Sequence, residues 1–181
     1  MPIKTARTRL RPWRKEDAPA FAAMHADPEV MKDVNGPLTR SQSDHKMGRY
    51  SAALEEHGFC RWSVDDLDGN FIGYAGVMPI PVDFPLAPGF EIGWRFVRSA
   101  WGKGLASEAA DAALKDVFAR ANLAEVLSYT SPDNIRSQAV MQRLNLRRDQ
   151  NRDFAVEVDG LQWSGLVWVA DRNCNHGTVQ D

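Results

Sequence analysis

The chain holds 181 residues, 44% of them apolar and 25% charged, and its 22 Lys plus Arg nearly balance 24 Asp plus Glu, for a formal net charge of −2. That balance argues against nucleic-acid binding by bulk phosphate neutralisation, and no run of about 18 apolar residues is present to span a membrane. The length suits a single domain, expected over residues 1–170, with a polar tail at 171–181.

The basic start of the chain lacks the apolar core of a signal peptide, and RTRLRPW alternates arginine with Thr8, Leu10 and Pro12 as a half-exposed strand does. Asp17 is the expected N-cap of a helix with Phe21 and Met24 on one face. Asp27-Pro28 opens a second short turn with Val30 and Met31, because proline suits the first helical position. After a loop at 33–38, Thr39 and Gln42 have capping-box spacing ahead of a helix bearing Met47, Tyr50 and Leu54. FCRWSVDD and FIGYAGV read as strands joined by a turn at Asp68-Gly69-Asn70. Prolines at 79, 81, 85 and 88 make residues 78–89 a stiff loop, and FEIGWRFV is the next strand.

A helix follows whose apolar residues, Ala106, Ala109, Ala110, Ala113, Leu114, Val117, Phe118 and Ala121, form one stripe. EVLSYT is then a strand, Ser137 to Leu144 a short helix, and FAVEV with WSGLVWVA a closing pair across Asp159-Gly160. The order predicts an α/β (α+β) fold, a mixed and mostly antiparallel sheet with one parallel pair flanking the central helix. Cys60 and Cys174 lie far apart, form no CxxC pair and read as reduced thiols of a cytoplasmic protein. The histidines fit no zinc spacing, so no metal is expected, and the Cys174-Asn175-His176 cluster reads as part of a polar end.

Between FEIGWRFV and the striped helix stands WGKGLASEA, a glycine-spaced loop that opens a helix. It is not a P-loop, because GxxxxGK[ST] is absent, and Ser107 replaces the third glycine of a dinucleotide fingerprint. Free amides at a helix start attract an anion, and small residues at 102, 104 and 106 let a pyrophosphate approach the backbone. A tight strand-to-helix turn, needing glycine for its own geometry, is the other reading of the same residues.

The loop resembles the acyl-CoA loop of the GNAT N-acetyltransferase superfamily, Gln/Arg-x-x-Gly-x-Gly/Ala, with Trp101 in the first place, Gly104 in the fourth and Ala106 in the sixth. Tryptophan departs from the general pattern and is similar to the RimJ/RimL-like (ribosomal-protein-alanine N-acetyltransferase) branch, which favours WGKGxAxEA. TRLRPW, DPEVM at 27–31, EIGW at 91–94 and NIRSQAVMQRLNL at 134–146 fit that branch, so the likeness spans roughly residues 5–148.

The resemblance implies the GNAT fold, with a splayed parallel pair at its centre that takes pantetheine like an added strand. It implies an enzyme that moves the acetyl group of acetyl-CoA directly to a primary amine, on a small molecule, a peptide or a protein N-terminus. A non-catalytic acyl-CoA-binding module on the same fold is the alternative. The implied cofactor set is the backbone of Phe96 and Val97, Arg98, Trp101, the amides of Gly102, Lys103, Gly104, Leu105, Ala106 and Ser107, and Asn134, Ser137 and Met141. Asn134 is also a plausible helix N-cap. A homodimer is a family expectation.

Three residues carry the implied chemistry. Glu91 stands where several GNAT enzymes place a general base acting through water, although a surface carboxylate reads the same. Asn134 of the N-x-x-S motif would bond near the thioester. The general acid is a departure, because the tyrosine that many members carry seven residues after that asparagine is Met141 here. The branch points to Ser137 instead, with Tyr129 in reserve. Asp33, Asp83 and Glu91 are candidates to receive a cationic amine, and Trp62, Trp94, Trp163 and Trp168 to line its pocket.

Overall fold

The computed structural model describes residues 2–34, 36–158 and 160–172. The chain begins with β1 (Ile3–Lys4) and β2 (Arg9–Arg11), followed by α1 (Ala18–Ala26), α2 (Pro28–Met31) and α3 (Arg40–His57). Three strands follow, β3 (Arg61–Asp65), β4 (Phe71–Pro79) and β5 (Phe90–Phe96), and then α4 (Leu105–Arg120), β6 (Glu125–Thr130) and α5 (Ile135–Arg143). The short β7 (Arg147–Arg148) precedes the hairpin of β8 (Phe154–Val158) and β9 (Leu161–Asp171).

The strands join in the order β1-β2-β3-β4-β5-β6-β9-β7, and β8 pairs with the first part of β9. Every pair is antiparallel except β5 with β6. This is the mixed, mostly antiparallel sheet that the order of elements predicts, with the parallel pair at its centre. No described helix is long and apolar enough to cross a membrane.

Register divides the sheet into two faces. Ser63, Tyr74 and Arg95 form one cross-strand row, and Arg61, Gly76 and Gly93 the next. This face is covered by α1 and α3, whose Phe21 and Tyr50 rings lie 5.9 and 6.1 Å or less from their neighbours Tyr74 and each other. The alternate residues Ala75, Val77, Ile92 and Phe96 are buried, and α4 packs on β4 and β5 with Ala109, Ala110, Ala113, Leu114, Val117 and Phe118. The alanines bring the helix close to the sheet. Burying side chains the size of Leu114, Val117 and Phe118 contributes about 1.5–3 kcal/mol each.

The capping signals at α2 and α3 act as their chemistry dictates. Asp27 Oδ1 accepts from the Glu29 N–H at 2.9 Å, and Thr39 and Gln42 close a reciprocal box. Asp17 differs. It precedes α1, but its carboxylate turns back to the Arg14 N–H at 2.8 Å and to Arg11, which it meets through both oxygens at 2.7 and 2.8 Å. Arg11 also meets both oxygens of Asp65, at 2.5 and 2.8 Å. The buried guanidinium therefore outranks the helix end as a partner for Asp17.

Four boundaries also differ from the sequence reading. The strand read in RTRLRPW is only Arg9–Arg11, because Thr5 N–H bonds Thr8 O at 3.0 Å in a turn and Pro12 ends the ladder. β4 runs on to Pro79, so the stiff loop starts at Ile80 and is closed by Ile80 N–H to Gly89 O at 2.8 Å. The helix after Asn134 starts at Ile135, two residues early. The folded chain also reaches past residue 170, since Asp171 pairs with Glu125 and Arg172 donates to Asn122 Oδ1 at 2.9 Å and Phe118 O at 2.7 Å. Asp159 and the Cys174-Asn175-His176 cluster lie outside the described residues.

His25 is 0% exposed in α1, with Nδ1 2.9 Å from Phe21 O. Burial, opposed by that carbonyl and aided by the Lys46 and Arg95 charges, pushes the imidazole down to about 4 from 6.5. The unfolded chain therefore takes up this proton first. Folding stability is intact above 6.5 and falls as the pH drops toward 4, by about 3 kcal/mol from this residue. Urea unfolding across that window should show the loss, and NMR should find the His25 ring neutral at pH 5. A ring that protonates near 6.5 in the folded protein would refute the assignment.

Candidate active site

The site starts where the parallel pair parts. β5 pairs with β4 along its whole length, from Pro79↔Phe90 to Gly73↔Phe96, and β6 pairs with β9 along its own. Between them is a single register, Glu91↔Leu127, beyond which Ser128 Oγ donates to Ile92 O at 3.1 Å. The Val97 N–H donates to Ile72 O of β4 at 3.0 Å. Main-chain groups alternate along a strand, so Trp94 and Phe96 turn theirs into the gap. Of the expected pair, Phe96 faces the gap, its carbonyl taken by Trp101 Nε1, while the Val97 N–H is committed to β4 and Trp94 faces the gap three residues before it.

The chain leaves β5 through a 3-10 turn at Arg98–Ala100 and reaches the glycine loop. Gly102 and Gly104 have φ of 73° and 75°, the left-handed region that favours glycine. The first helical bond of α4 runs from the Glu108 N–H to Gly104 O at 3.1 Å. Among the described residues, the N–H groups of Gly102 through Ser107 have no protein acceptor. Ser107 Oγ is also buried without a partner. Five of these six residues, Gly102 and Gly104 through Ser107, line one cavity at the positive end of the α4 dipole.

Side chains brace this loop from three directions. Trp101 Nε1 donates to Phe96 O at 2.8 Å, which ties the loop back to the strand it left. Arg136 of α5 lies 3.9 Å over the Trp101 ring and reaches Asp33 Oδ2 at 3.5 Å. Arg7 donates to Lys103 O at 2.8 Å and to Glu108 Oε2 at 2.7 Å, and Thr5 Oγ1 donates to Glu108 Oε1 at 2.5 Å. Burial raises the Glu108 pKa, but the Thr5 and Arg7 bonds outweigh it and hold it below the usual carboxylate value. Sequence reasoning missed Arg7, Glu108 and Arg136, because each acts on a partner remote in the chain.

These elements enclose a groove of about 520 Å³. Phe96, Trp101, Gly102, Gly104, Leu105, Ala106, Ser107, Asn134 and Ser137 line it, and so do Trp94, Arg95 and Val30. Asn134 Oδ1 accepts from the Ser137 N–H at 3.0 Å, capping α5 and holding both residues at the rim. Arg98 and Lys103 are exposed beside the groove, and Lys103 contributes its carbonyl to Arg7. Met141 is 1% exposed and belongs to the core, so its side chain does not reach the groove.

On the face covered by α1 and α3, Glu91 Oε1 accepts from Arg61 Nη2 at 2.6 Å. Burial, and then the neighbouring Glu91 carboxylate, push the Tyr129 phenol above its usual value. Tyr129 packs in an aromatic cluster with Phe84, Phe154 and Trp163. Trp62 and Trp168 are buried, and Trp94 is the tryptophan of the four candidates that reaches the groove. Asp33 is paired with Arg136, while Asp83 is exposed.

Residues 7–147 match the model of the acetyltransferase (GNAT) domain. The chain is similar to the FsC-acetyl coenzyme A-N(2)-transacetylase of Aspergillus fumigatus, at 32% identity over 146 residues, covering 77% of this chain and 62% of that protein. An acetyltransferase structure from Agrobacterium tumefaciens has a TM-score of 0.80 at 29% identity, over 94% of both chains. Mycobacterium smegmatis RimJ in complex with CoA-disulfide shares the fold, with a TM-score of 0.69 at 21% identity over 91% of this chain and 81% of that one. The parted parallel pair, the free helix start and these likenesses make the chain a member of the GNAT acetyltransferase family, an acetyl-CoA-dependent acyltransferase.

Proposed function

We propose that the protein transfers the acetyl group of acetyl-CoA to a primary amine by direct attack while both are bound. One observation carries this reading: the main-chain groups of Trp94 and the N–H of Phe96 at the gap run on to a cavity lined by Gly102 and Gly104 through Ser107, whose N–H groups have no acceptor among the described residues. The residues fit a long ligand with amides at one end and a pyrophosphate at the other. Gly102 leaves open space where a Cβ would stand, and the unpartnered Ser107 Oγ adds a further donor. Acetyl-CoA supplies an acetyl group activated as a thioester. The complex of RimJ with CoA-disulfide in the same fold supports the assignment.

The chain's own residues then have three tasks. Trp94 and Phe96 orient the acyl arm, and a strand N–H aimed into the gap polarises the acyl carbonyl. The amine must arrive neutral. An α-amine, with a pKa near 8, loses its proton to water readily, so no carboxylate base is required. That suits Glu91, whose Oε1 is occupied by Arg61. As nitrogen bonds to the acyl carbon and the carbon–sulfur bond breaks, the departing thiolate needs a proton. Ser137 Oγ, at the rim of the groove, delivers it, and the proton that the attacking nitrogen sheds restores the serine hydroxyl.

Thermal unfolding with acetyl-CoA, CoA, NADH and ATP, each at about 1 mM, tests the groove. A ligand at about 100 times its dissociation constant adds about 2.7 kcal/mol. Only the CoA species should raise Tm. Equal or absent shifts would reduce the glycine loop to a turn.

Ser137→Ala should lower turnover by about tenfold or more, within the usual range for a proton donor, while stabilisation by CoA persists. Unchanged turnover eliminates Ser137 as the acid and shifts the role to Tyr129. Binding of CoA without thioester cleavage across a broad amine panel would identify a binding module instead.

A further inference from the structure

The sheet face opposite α4 carries charge that acetyl transfer does not use. Arg61 of β3 lies 5.9 Å from the Tyr74 ring of β4, Arg95 of β5 pairs directly opposite Tyr74, Lys46 of α3 adds its charge to theirs at that phenol, and Glu91 is the carboxylate that answers them, through Arg61. Register explains the convergence. Tyr74 pairs with Ser63 on one side and Arg95 on the other, while Arg61 points along the next row toward Gly93. A Cβ on Gly93 would meet Arg61 Nη2 at 2.5 Å and Cζ at 2.7 Å. The guanidinium therefore lies flat on β5 where that strand leaves β6.

The cluster is short of acceptors. Arg61 Nη2 bonds Glu91 and Arg95 Nη1 bonds Val30 O, yet the Nε of both arginines is buried with no acceptor among the described residues. Ser63 Oγ and His25 Nε2, both from residues 0% exposed, are also unpartnered there. Tyr74 holds the Lys46 pKa up, but burial and the guanidiniums of Arg61, Arg95 and Arg49 outweigh it and leave it below the usual value. Burial alone would raise the Tyr74 phenol, and Lys46, Arg95 and Arg61 instead bring it below its usual value. An uncompensated buried cation is unfavourable, and an acceptor for it restores the balance.

The cluster meets the groove through Arg95, which lines it next to Trp94 together with Val30, whose carbonyl it bonds. Glu91 and Asp33, two candidates for receiving a cationic amine, are already bound to Arg61 and Arg136. We propose that the acceptor is an amine that also carries an oxyanion, a carboxylate or a phosphate, received by Lys46, Arg61 and Arg95 beside Tyr74. The proposal rests on the reading that CoA fills the groove and an amine attacks there.

The test begins with protein saturated by CoA, so that the start of α4 is occupied, and melted in sodium acetate, phosphate or chloride at equal ionic strength. Whether CoA itself raises Tm reports on the groove separately. At about ten times its dissociation constant the favoured anion should raise Tm by about 4 °C over chloride. Lys46→Met should remove that rise, which separates site binding from general salt effects. Acetate acting alone identifies a carboxylate, and phosphate acting alone a phosphate. Equal melting in the three salts, or a rise that survives Lys46→Met, overturns the proposal.

Turnover gives a second readout, with phenylalanine against phenethylamine and phosphoethanolamine against ethanolamine, followed by thiol release. The anionic member of the favoured pair should show kcat/KM about tenfold higher, equivalent to about 1.4 kcal/mol. Lys46→Met should erase that ratio through KM. Neutral amines turned over as well as their anionic partners overturn it.

Discussion

The single bridge between β5 and β6 is the constraint on which the site depends. Each strand is fully paired on its outer side, β5 to β4 and β6 to β9, so neither can shift to close the gap. Unpaired main-chain groups in a sheet are tolerated only where water or a ligand can meet them. The gap is therefore a slot of fixed width, and the chain leaves each side of it directly into a rim of the groove. β5 runs into the glycine loop and α4, and β6 into Asn134 and α5. One local failure of pairing positions both the acyl arm and the groups that would act on it.

The rims are rigid because their bonds reach across the chain. Trp101 joins the loop to β5, Arg136 joins α5 to Trp101, and Arg7 joins the amino-terminal segment to Lys103 and Glu108. Glu108 would be an awkward neighbour for a pyrophosphate, since its charge sits in the first turn of α4. Arg7 and Thr5 hold that carboxylate and offset its charge. The donors at 102–107 are thus ordered before any ligand arrives, and less ordering entropy is lost on binding.

What the sequence made legible was local. The stripe on α4, the caps at Asp27, Thr39 and Asn134, and the glycine geometry at 102 and 104 all depend on residues within one turn of one another. The misreadings have a common physical source. Asp17 chose Arg11 over the helix end because Asp65, 54 residues from Arg11, completes a buried network. Val97 turned from the gap because direction along a strand depends on which neighbour takes the hydrogen bond, and adjacent residues point opposite ways. Met141 occupied a motif position, but its side chain falls on the core side of α5. The pairing of Glu91 with Arg61, across 30 residues and two glycines, has no local signature.

The groove and the charged cluster beside it are made of different material, and this separates what the backbone supplies from what single side chains supply. The groove at α4 uses main-chain N–H groups and the strand edge, which persist when side chains change so long as the glycines allow the backbone its shape. The cluster at Tyr74 uses guanidiniums, an ammonium and hydroxyls, each dependent on one residue type. A substitution there alters which acceptor is welcome without disturbing the slot. Gly93 belongs to both: it is part of the strand that leaves β6, and its missing side chain is what lets Arg61 reach Glu91. The acyl donor is thus recognised by a shape common to the fold. On the proposal above, the acceptor is recognised by the charge surplus of side chains around Tyr74.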